Sequence, residues 1–414
     1  MNITQKDVII VGGGPAGLAA AVELHKQGIT DILVIEREKD LGGILRQCIH
    51  DGFGLTRFRQ TLSGPEYAQR FIDEAQRLGI SCLTDTTVLS VTEDKRVVTV
   101  SSRDGVQGWQ AKAVVLAMGC RERTRGALAI PGDRPAGVFT AGVAQAYINL
   151  YNTMVGKEVV ILGSGDIGMI MARRLTLEGA RVKGVYELLP YPSGLPRNVT
   201  QCLEDYGIPL HLSHTVTGIH GRSRLTGVTI SRVDASRRPI PGTGELMPCD
   251  TLILSVGLIP ENELSLDAGV LLDNRTKGAV VDEHYQTGVP GIFAAGNVLH
   301  VHDLVDFVSL EAERLAAGAA RYLRQGSLEE CAIRVRAGDG VNHAIPQAIS
   351  GERDVLLSLR VQKPFGSCEI LLCQGGAPIH KEPVKKAIPA EMIQITLKKD
   401  VLISHKELEV CVQC

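Results

Sequence analysis

Short apolar runs and helix-spaced stretches alternate along the first three quarters of the chain, and one arrangement occurs twice. Val8-Ile-Ile-Val11 is a continuous apolar run of the length of a strand covered on both faces. Helix-spaced apolar positions follow over Ala16–Gln27 and stop at Gly28, a residue suited to a left-handed helix end. A second apolar run, Ile32–Ile35, then ends in Glu36. Much later the order returns. Glu158-Val-Val-Ile-Leu162 predicts a strand, a helix follows through Leu177 and stops near Gly179, and Arg181–Tyr186 predicts a strand ending in Glu187. Val114–Gly119 and Leu252–Gly257 form another matched pair, each a buried strand running into glycine. Strands alternating with helices predict an α/β fold with parallel sheets.

The residues between strand and helix give the repeat its chemistry. The first junction is Gly12-Gly13-Gly14-Pro15-Ala16-Gly17 and the second is Gly163-Ser164-Gly165-Asp166-Ile167-Gly168. In such a turn the first glycine permits the tight bend, the second lets backbone approach a pyrophosphate, and the third lets helix pack on strand. Pro15 and Ala16, or Asp166 and Ile167, lie at the junction with the following helix, whose N-terminus offers amide groups to the phosphates. Glu36 and Glu187 each stand nineteen residues beyond the last glycine, where a carboxylate can accept from an adenosine ribose. Strand, glycines, helix, second strand and acid fall in register both times, which disfavours a chance glycine-rich turn. Two such modules imply two nucleotide ligands. After Glu187 come Leu188, Leu189 and Pro190, with no arginine before Arg197, so the second site is expected to take NAD(H) rather than a 2′-phosphorylated nucleotide.

Composition narrows the class. The chain has 414 residues, a formal charge of −2 and 44% hydrophobic residues, enough for two or three packed domains and without the basic excess of a nucleic-acid binder. No apolar run reaches the length of a membrane span. The N-terminus runs directly into the first strand, so no signal peptide is expected. The ten scattered cysteines read as reduced thiols of a cytoplasmic protein.

With these motifs the chain resembles the pyridine nucleotide–disulfide oxidoreductase superfamily over about residues 6–325. The resemblance implies FAD at the first site and the nicotinamide nucleotide at the second, with the second domain inserted into the first. It implies an FAD-binding domain over residues 1–122 and 251–326, a NAD(H)-binding domain over 123–250, and leaves 327–414 as a small β-rich C-terminal domain. Gly43 and Gly119 join the expected FAD contacts. So does Gly291-Ile-Phe-Ala-Ala-Gly296-Asn297, where Asn297 replaces the family's ribityl-binding Asp; an amide also hydrogen-bonds a hydroxyl. The following helix, about Leu304–Leu323, is expected to aim its N-terminus at the flavin.

The family's disulfide reductases carry a redox cysteine pair in one of two places. Here Gly42-Gly43 is followed by Cys48 alone, with His50 close behind, and Val138–Gln145 has no cysteine. A dithiol relay needs two thiols within reach, so a flavoprotein without a redox disulfide is expected. Three segments, Arg46–Gly54, Tyr191–Asn198 and Gly296–Asp303, resemble a bacterial subgroup that pairs with a glycerol 3-phosphate dehydrogenase-like flavoprotein and a small cysteine-containing protein. That implies an electron-transfer subunit exchanging hydride with NAD(H). A stand-alone NADH oxidase or NADH-dependent reductase, and a non-catalytic flavin-holding or redox-sensing subunit, stay as alternatives.

His50, Cys48 and His302 are the candidate catalytic residues, with His300 beside them. A histidine near the flavin can donate or relay a proton, and a lone cysteine can act as a thiolate; the blander reading makes them structural polar groups and an inert thiol. Arg121-Glu-Arg123 reads as a solvated hinge. In the C-terminal region Val355–Val361, Cys368–Cys373 and Glu391–Leu397 read as strands. Cys411-Val-Gln-Cys414 has the spacing of a metal half-site, but Cys368 and Cys373 differ in strand parity, so no metal site is expected.

Overall fold

The computed structural model describes residues 3–403 and 406–414. They cluster into two compact units, Met1–Cys120 with Pro260–Cys414, and Arg121–Ile259.

The first unit is built on a seven-stranded sheet. Strand Ile3–Val11 lies parallel between Ile32–Ile35 and Gly105–Leu116, and Ser81–Leu83 and Ile292–Ala294 add further parallel edges. Val8–Val11 is buried on both faces, as its unbroken apolar run requires. The first strand is longer than its apolar run, because Ile3–Asp7 continue the ladder with more exposed side chains. Helix Pro15–Lys26 covers the sheet beside the long helix Val305–Gln325, and both press alanine-rich faces into one core. Residues 333–413 add a five-stranded and a three-stranded sheet. Their facing side chains, among them Leu357, Leu359, Ile370, Leu372, Leu408 and Val410, form a separate core. The expected C-terminal strands appear as Val355–Val361, Cys368–Gln374 and Ile393–Leu397.

The second unit carries a five-stranded parallel sheet, in the order Val138–Thr140, Thr251–Leu254, Glu158–Leu162, Arg181–Glu187, Leu210–Leu212. A three-stranded antiparallel sheet, 214–248, packs beneath it. Helix Asp166–Leu177 begins and ends where its glycine boundaries place it. The Arg121-Glu-Arg123 segment is more specific than a solvated hinge. Both Glu122 carboxylate oxygens accept from Gly142 N at 2.9 Å, which caps the start of helix Ala141–Asn149.

Candidate functional site: two dinucleotide turns and a histidine cluster

The first turn shows why its glycines are spaced as they are. Gly12 has φ +110°, and a Cβ there would lie 2.4 Å from the Ala117 carbonyl oxygen. A Cβ on Gly17 would lie 1.9 Å from Gly12 O, so the helix sits on the strand with no room for a methyl group. Gly14 differs, because its Cβ would meet nothing nearer than Gly43 Cα at 3.8 Å, which leaves the approach to its backbone open. Gly43 faces it from the neighbouring loop. Helix Pro15–Lys26 starts on Gly14 without a side-chain cap. An uncapped helix start with a bare glycine in front of it fits a pyrophosphate. The Glu36 carboxylate is buried and accepts from Gly13 N at 2.8 Å and Glu38 N at 2.9 Å, so it is locked at the mouth of the turn with acceptor capacity to spare.

The second turn repeats this geometry. A Cβ on Gly163 (φ +95°) would lie 2.0 Å from Ser255 O, and one on Gly168 would lie 2.6 Å from Ser255 Cβ. Helix Asp166–Leu177 also starts uncapped, on Gly165. Here the acid is more fully engaged. Glu187 Oε2 accepts from Ser164 N, Ser164 Oγ and Ser193 Oγ at 2.9, 2.6 and 2.8 Å, and Oε1 accepts from Leu189 N at 3.0 Å. Segment 193–198 folds onto the helix start as well, with Leu195 N and Asn198 Nδ2 donating to Asp166 Oδ1. Ile167 is the second residue of that helix. Ser193 is a contact that spacing arguments could not supply, since it reaches Glu187 only through the fold of its loop.

Gly296 and Asn297 return to the first turn. A Cβ on Gly296 would lie 2.9 Å from the Ala16 side chain, so this segment rests directly on the start of the first helix. Asn297 Oδ1 accepts from His302 N at 3.0 Å and lies 3.3 Å from His302 Nδ1, and its amide nitrogen reaches Cys120 Sγ at 3.6 Å. Gly119, at φ +75°, lies in the short link between strand Gly105–Leu116 and Cys120. Glu311, on the long helix, gathers the rest: Oε1 accepts from Gly296 N at 2.8 Å, and Oε2 lies 2.7 Å from His300 Nε2 and 3.4 Å from His302 Nε2. Burial, with His302 beside it, pushes the His300 imidazole down to about 4. Asp306, in the first turn of the same helix, accepts from Gly54, Thr56 and Arg57 N and fixes that loop. Neither Glu311 nor Asp306 carries a local sequence signal, because each works on residues far away in the chain.

Cys48 and His50 share the loop after the short 3-10 turn Gly43–Gln47, and the His50 ring packs at 5.0 Å from Phe53. Desolvation pushes the Cys48 thiol up to about 12, which leaves it protonated and unreactive. Iodoacetamide at about pH 8 should therefore alkylate exposed Cys414 well before Cys48. Peptide mapping by mass spectrometry checks this, and equal labelling of the two would contradict it. None of the ten cysteines is joined in a disulfide. Cys411 pairs across the sheet with Leu371, and Cys373 with Glu409. Among the described residues no group of cysteines gathers as a metal-ligand set.

No helix among the described residues is long and apolar enough to cross a membrane. Over 317 residues the chain is 27% identical to hydrogen cyanide synthase subunit HcnB of Pseudomonas protegens, covering 70% of this chain and 65% of that protein. It is 27% identical over 314 residues to an opine oxidase subunit of Agrobacterium tumefaciens, covering 70% and 61% respectively. The chain thus spans less than two thirds of the length of these relatives. The crystal structure of T. acidophilum thioredoxin reductase superposes with a TM-score of 0.62 at 24% identity, covering 77% of this chain and 98% of that one, a likeness of fold. The model of the family described as pyridine nucleotide-disulphide oxidoreductase matches residues 6–321. The chain therefore belongs to the pyridine nucleotide-disulphide oxidoreductase family, a family of oxidoreductases that bind FAD and a pyridine nucleotide.

Proposed function

We propose that the protein transfers hydride between NAD(H) and FAD as the electron-transfer subunit of a dehydrogenase complex. The observation that carries this reading is the pair of uncapped, glycine-lined helix starts, each with a buried glutamate locked at its mouth. In this reading FAD is held by Gly12, Gly14, Pro15, Ala16, Gly17, Glu36, Gly43, Gly119, Gly296 and Asn297. NAD(H) is held by Gly163, Gly165, Asp166, Ile167, Gly168 and Glu187. FAD, when bound, supplies the hydride-accepting and hydride-donating chemistry.

The chain's own residues position and discriminate. The two helix starts orient the pyrophosphates through backbone amides. Glu36 and Glu187 stand where ribose hydroxyls are read, and the Glu187 charge opposes a 2′-phosphate. Asn297 holds a ribityl hydroxyl with the amide edge that His302 orients. His50 remains the group suited to moving a proton as the cofactor changes redox state, whereas His302, with Nδ1 at Asn297 Oδ1 and Nε2 at Glu311 Oε2, serves as a positioning group. The protonated state of Cys48 speaks for a structural thiol.

The exit for electrons is a second chain. Support comes from the empty cysteine positions at Gly42–Cys48 and Val138–Gln145. It comes also from two relatives whose names make them subunits of larger enzymes, and from the resemblance of segments 46–54, 191–198 and 296–303 to the bacterial glycerol 3-phosphate dehydrogenase-associated subgroup. On that basis the partner is a glycerol 3-phosphate dehydrogenase-like flavoprotein, accompanied by a small cysteine-containing protein, in the cytoplasm.

Anaerobic mixing of the flavin-loaded chain with NADH tests the first half. The visible flavin absorbance should bleach, and NADPH should bleach it at least about tenfold more slowly. No bleaching with either nucleotide would end the hydride-transfer reading, and equal rates would end the NAD preference. Isolation from the native source tests the second half. The partner chain should co-purify, whereas full steady NADH turnover in air by the isolated chain would mark a stand-alone oxidase.

A further inference from the structure

His300, His302 and Glu311 place three ligand atoms within 4.8 Å of one another in the interior of the first unit. The two histidine side chains and the glutamate are each 2% exposed or less. Two histidines and a carboxylate are a set that binds zinc, with neutral imidazole nitrogens and a carboxylate oxygen as ligands. His300-Val301-His302 brings the two rings together, with centroids 4.1 Å apart.

The hydrogen bonds around the trio define which atoms point inward. Asn297 Oδ1 accepts the backbone N–H of His302 at 3.0 Å, which sets the orientation of that amide. The ring nitrogen Nδ1 of His302, 3.3 Å from the same oxygen, is therefore the donor of that pair. The opposite nitrogen, Nε2, faces Glu311 Oε2 at 3.4 Å. In the neutral ring that nitrogen carries a lone pair, so two electron-rich atoms face each other across a gap the size of a cation site. The other Glu311 oxygen is tied to Gly296 N at 2.8 Å. A ligating histidine whose far N–H is held by an oxygen, and a ligating carboxylate that is itself hydrogen-bonded, are the outer contacts metal sites need.

A second observation points to an absent ligand. The neighbouring His343 Nε2 is buried without any hydrogen-bond partner. His343 is 8% exposed, and its ring stands edge-on to that of His300 at 5.8 Å. Buried ring nitrogens without partners are costly in a chain that has no use for them.

We propose that this cluster is a binding site for one zinc-class divalent ion, held by His300 Nε2, His302 Nε2 and Glu311 Oε2, with the unpartnered His343 ring standing beside His300. Tetrahedral zinc ligands about 2.0–2.1 Å from the ion stand roughly 3.3 Å apart. The His302–Glu311 spacing of 3.4 Å already matches, and the 2.7 Å His300–Glu311 contact has to open by about 0.6 Å. The ion would clamp the 296–302 segment to the long helix and so fix Asn297 in place.

The test uses the full chain. Zinc is measured by mass spectrometry in protein as purified, the metal is removed by dialysis against a chelator, and zinc or cobalt(II) is titrated back. The expected result is about one zinc per chain, re-uptake of one equivalent, and the intense visible bands of tetrahedral cobalt in the wild-type chain. His302→Gln should weaken uptake by at least about 100-fold, whereas His284→Gln, in the separate Glu283–His284–Glu329 group, should leave it unchanged. The cobalt spectrum of the unmodified chain keeps the question open to decision even where a buried substitution unfolds the protein. A metal-stripped wild-type chain that takes up neither zinc nor cobalt, or a folded H302Q that binds like wild type, overturns the proposal.

Discussion

Gly17→Ala should purify without flavin. One methyl group at this position would be placed 1.9 Å from Gly12 O and 3.2 Å from the Ile10 side chain, and the closest obstacle is backbone that cannot rotate away. Relief requires the first helix to lift from the strand, and that movement displaces the helix start proposed to hold the pyrophosphate. Overpacking of a tight core contact costs typically about 1–3 kcal/mol, and more where backbone is the obstacle. The helix also carries the face that packs on Val305–Gln325, so the damage extends into the first unit's core. The measurement is the ratio of visible flavin absorbance to protein absorbance after purification, with thermal unfolding alongside. The same substitution at Gly14, where a Cβ meets nothing nearer than 3.8 Å, should spare stability and reduce only cofactor retention. A Gly17→Ala chain that keeps its full flavin complement would show that the first turn is not the flavin site.

Glu187→Gln should abolish most pyridine nucleotide binding while leaving the flavin in place. In the wild-type chain one carboxylate oxygen collects three donors and the other collects one, all from this chain. An amide presents one acceptor and one donor, so one side of this cluster loses its partners. Leaving buried donors unsatisfied costs about 1–3 kcal/mol each. The affected groups are Ser164, inside the glycine turn, and Ser193 or Leu189, in the loop that folds over the helix start. We expect the affinity for NADH to fall at least about tenfold, with the second unit melting earlier. Titration of the variant with NADH, followed by nicotinamide fluorescence, checks the first part. Retained NADH affinity together with a gain for NADPH would show that Glu187 acts only through its charge.

Much of this was legible in the linear sequence because dinucleotide turns are local objects. Ile32–Ile35 and Asp166–Leu177 have the boundaries that their apolar spacing and flanking glycines predict. The first helix begins one residue early, at Pro15, since a proline is well suited to a first helical turn. Glycine spacing also pointed to the residues with no room for a side chain, because the tight bend and the helix-on-strand contact lie within a few residues of each other. The C-terminal strands were legible for the same reason, through alternation and turn residues.

What spacing alone could not supply is which polar groups meet at long range. Glu122 reads as part of a solvated hinge, yet it caps a helix twenty residues on. Asp306 and Glu311 look like ordinary polar positions of an amphipathic helix, yet one fixes the loop at 54–57 and the other collects two histidines and Gly296. Glu36 and Glu187 occupy equivalent positions in the repeat, but only Glu187 is enclosed by serines from its own unit. The sequence by itself determined the two glycine-rich turns, their helices and the acids that end their second strands, since backbone sterics and periodicity act between near neighbours. The tertiary structure decided how those acids are engaged and that His300, His302 and Glu311 converge. A buried polar group takes whichever partner the packing of distant elements brings to it, and no local pattern records that choice.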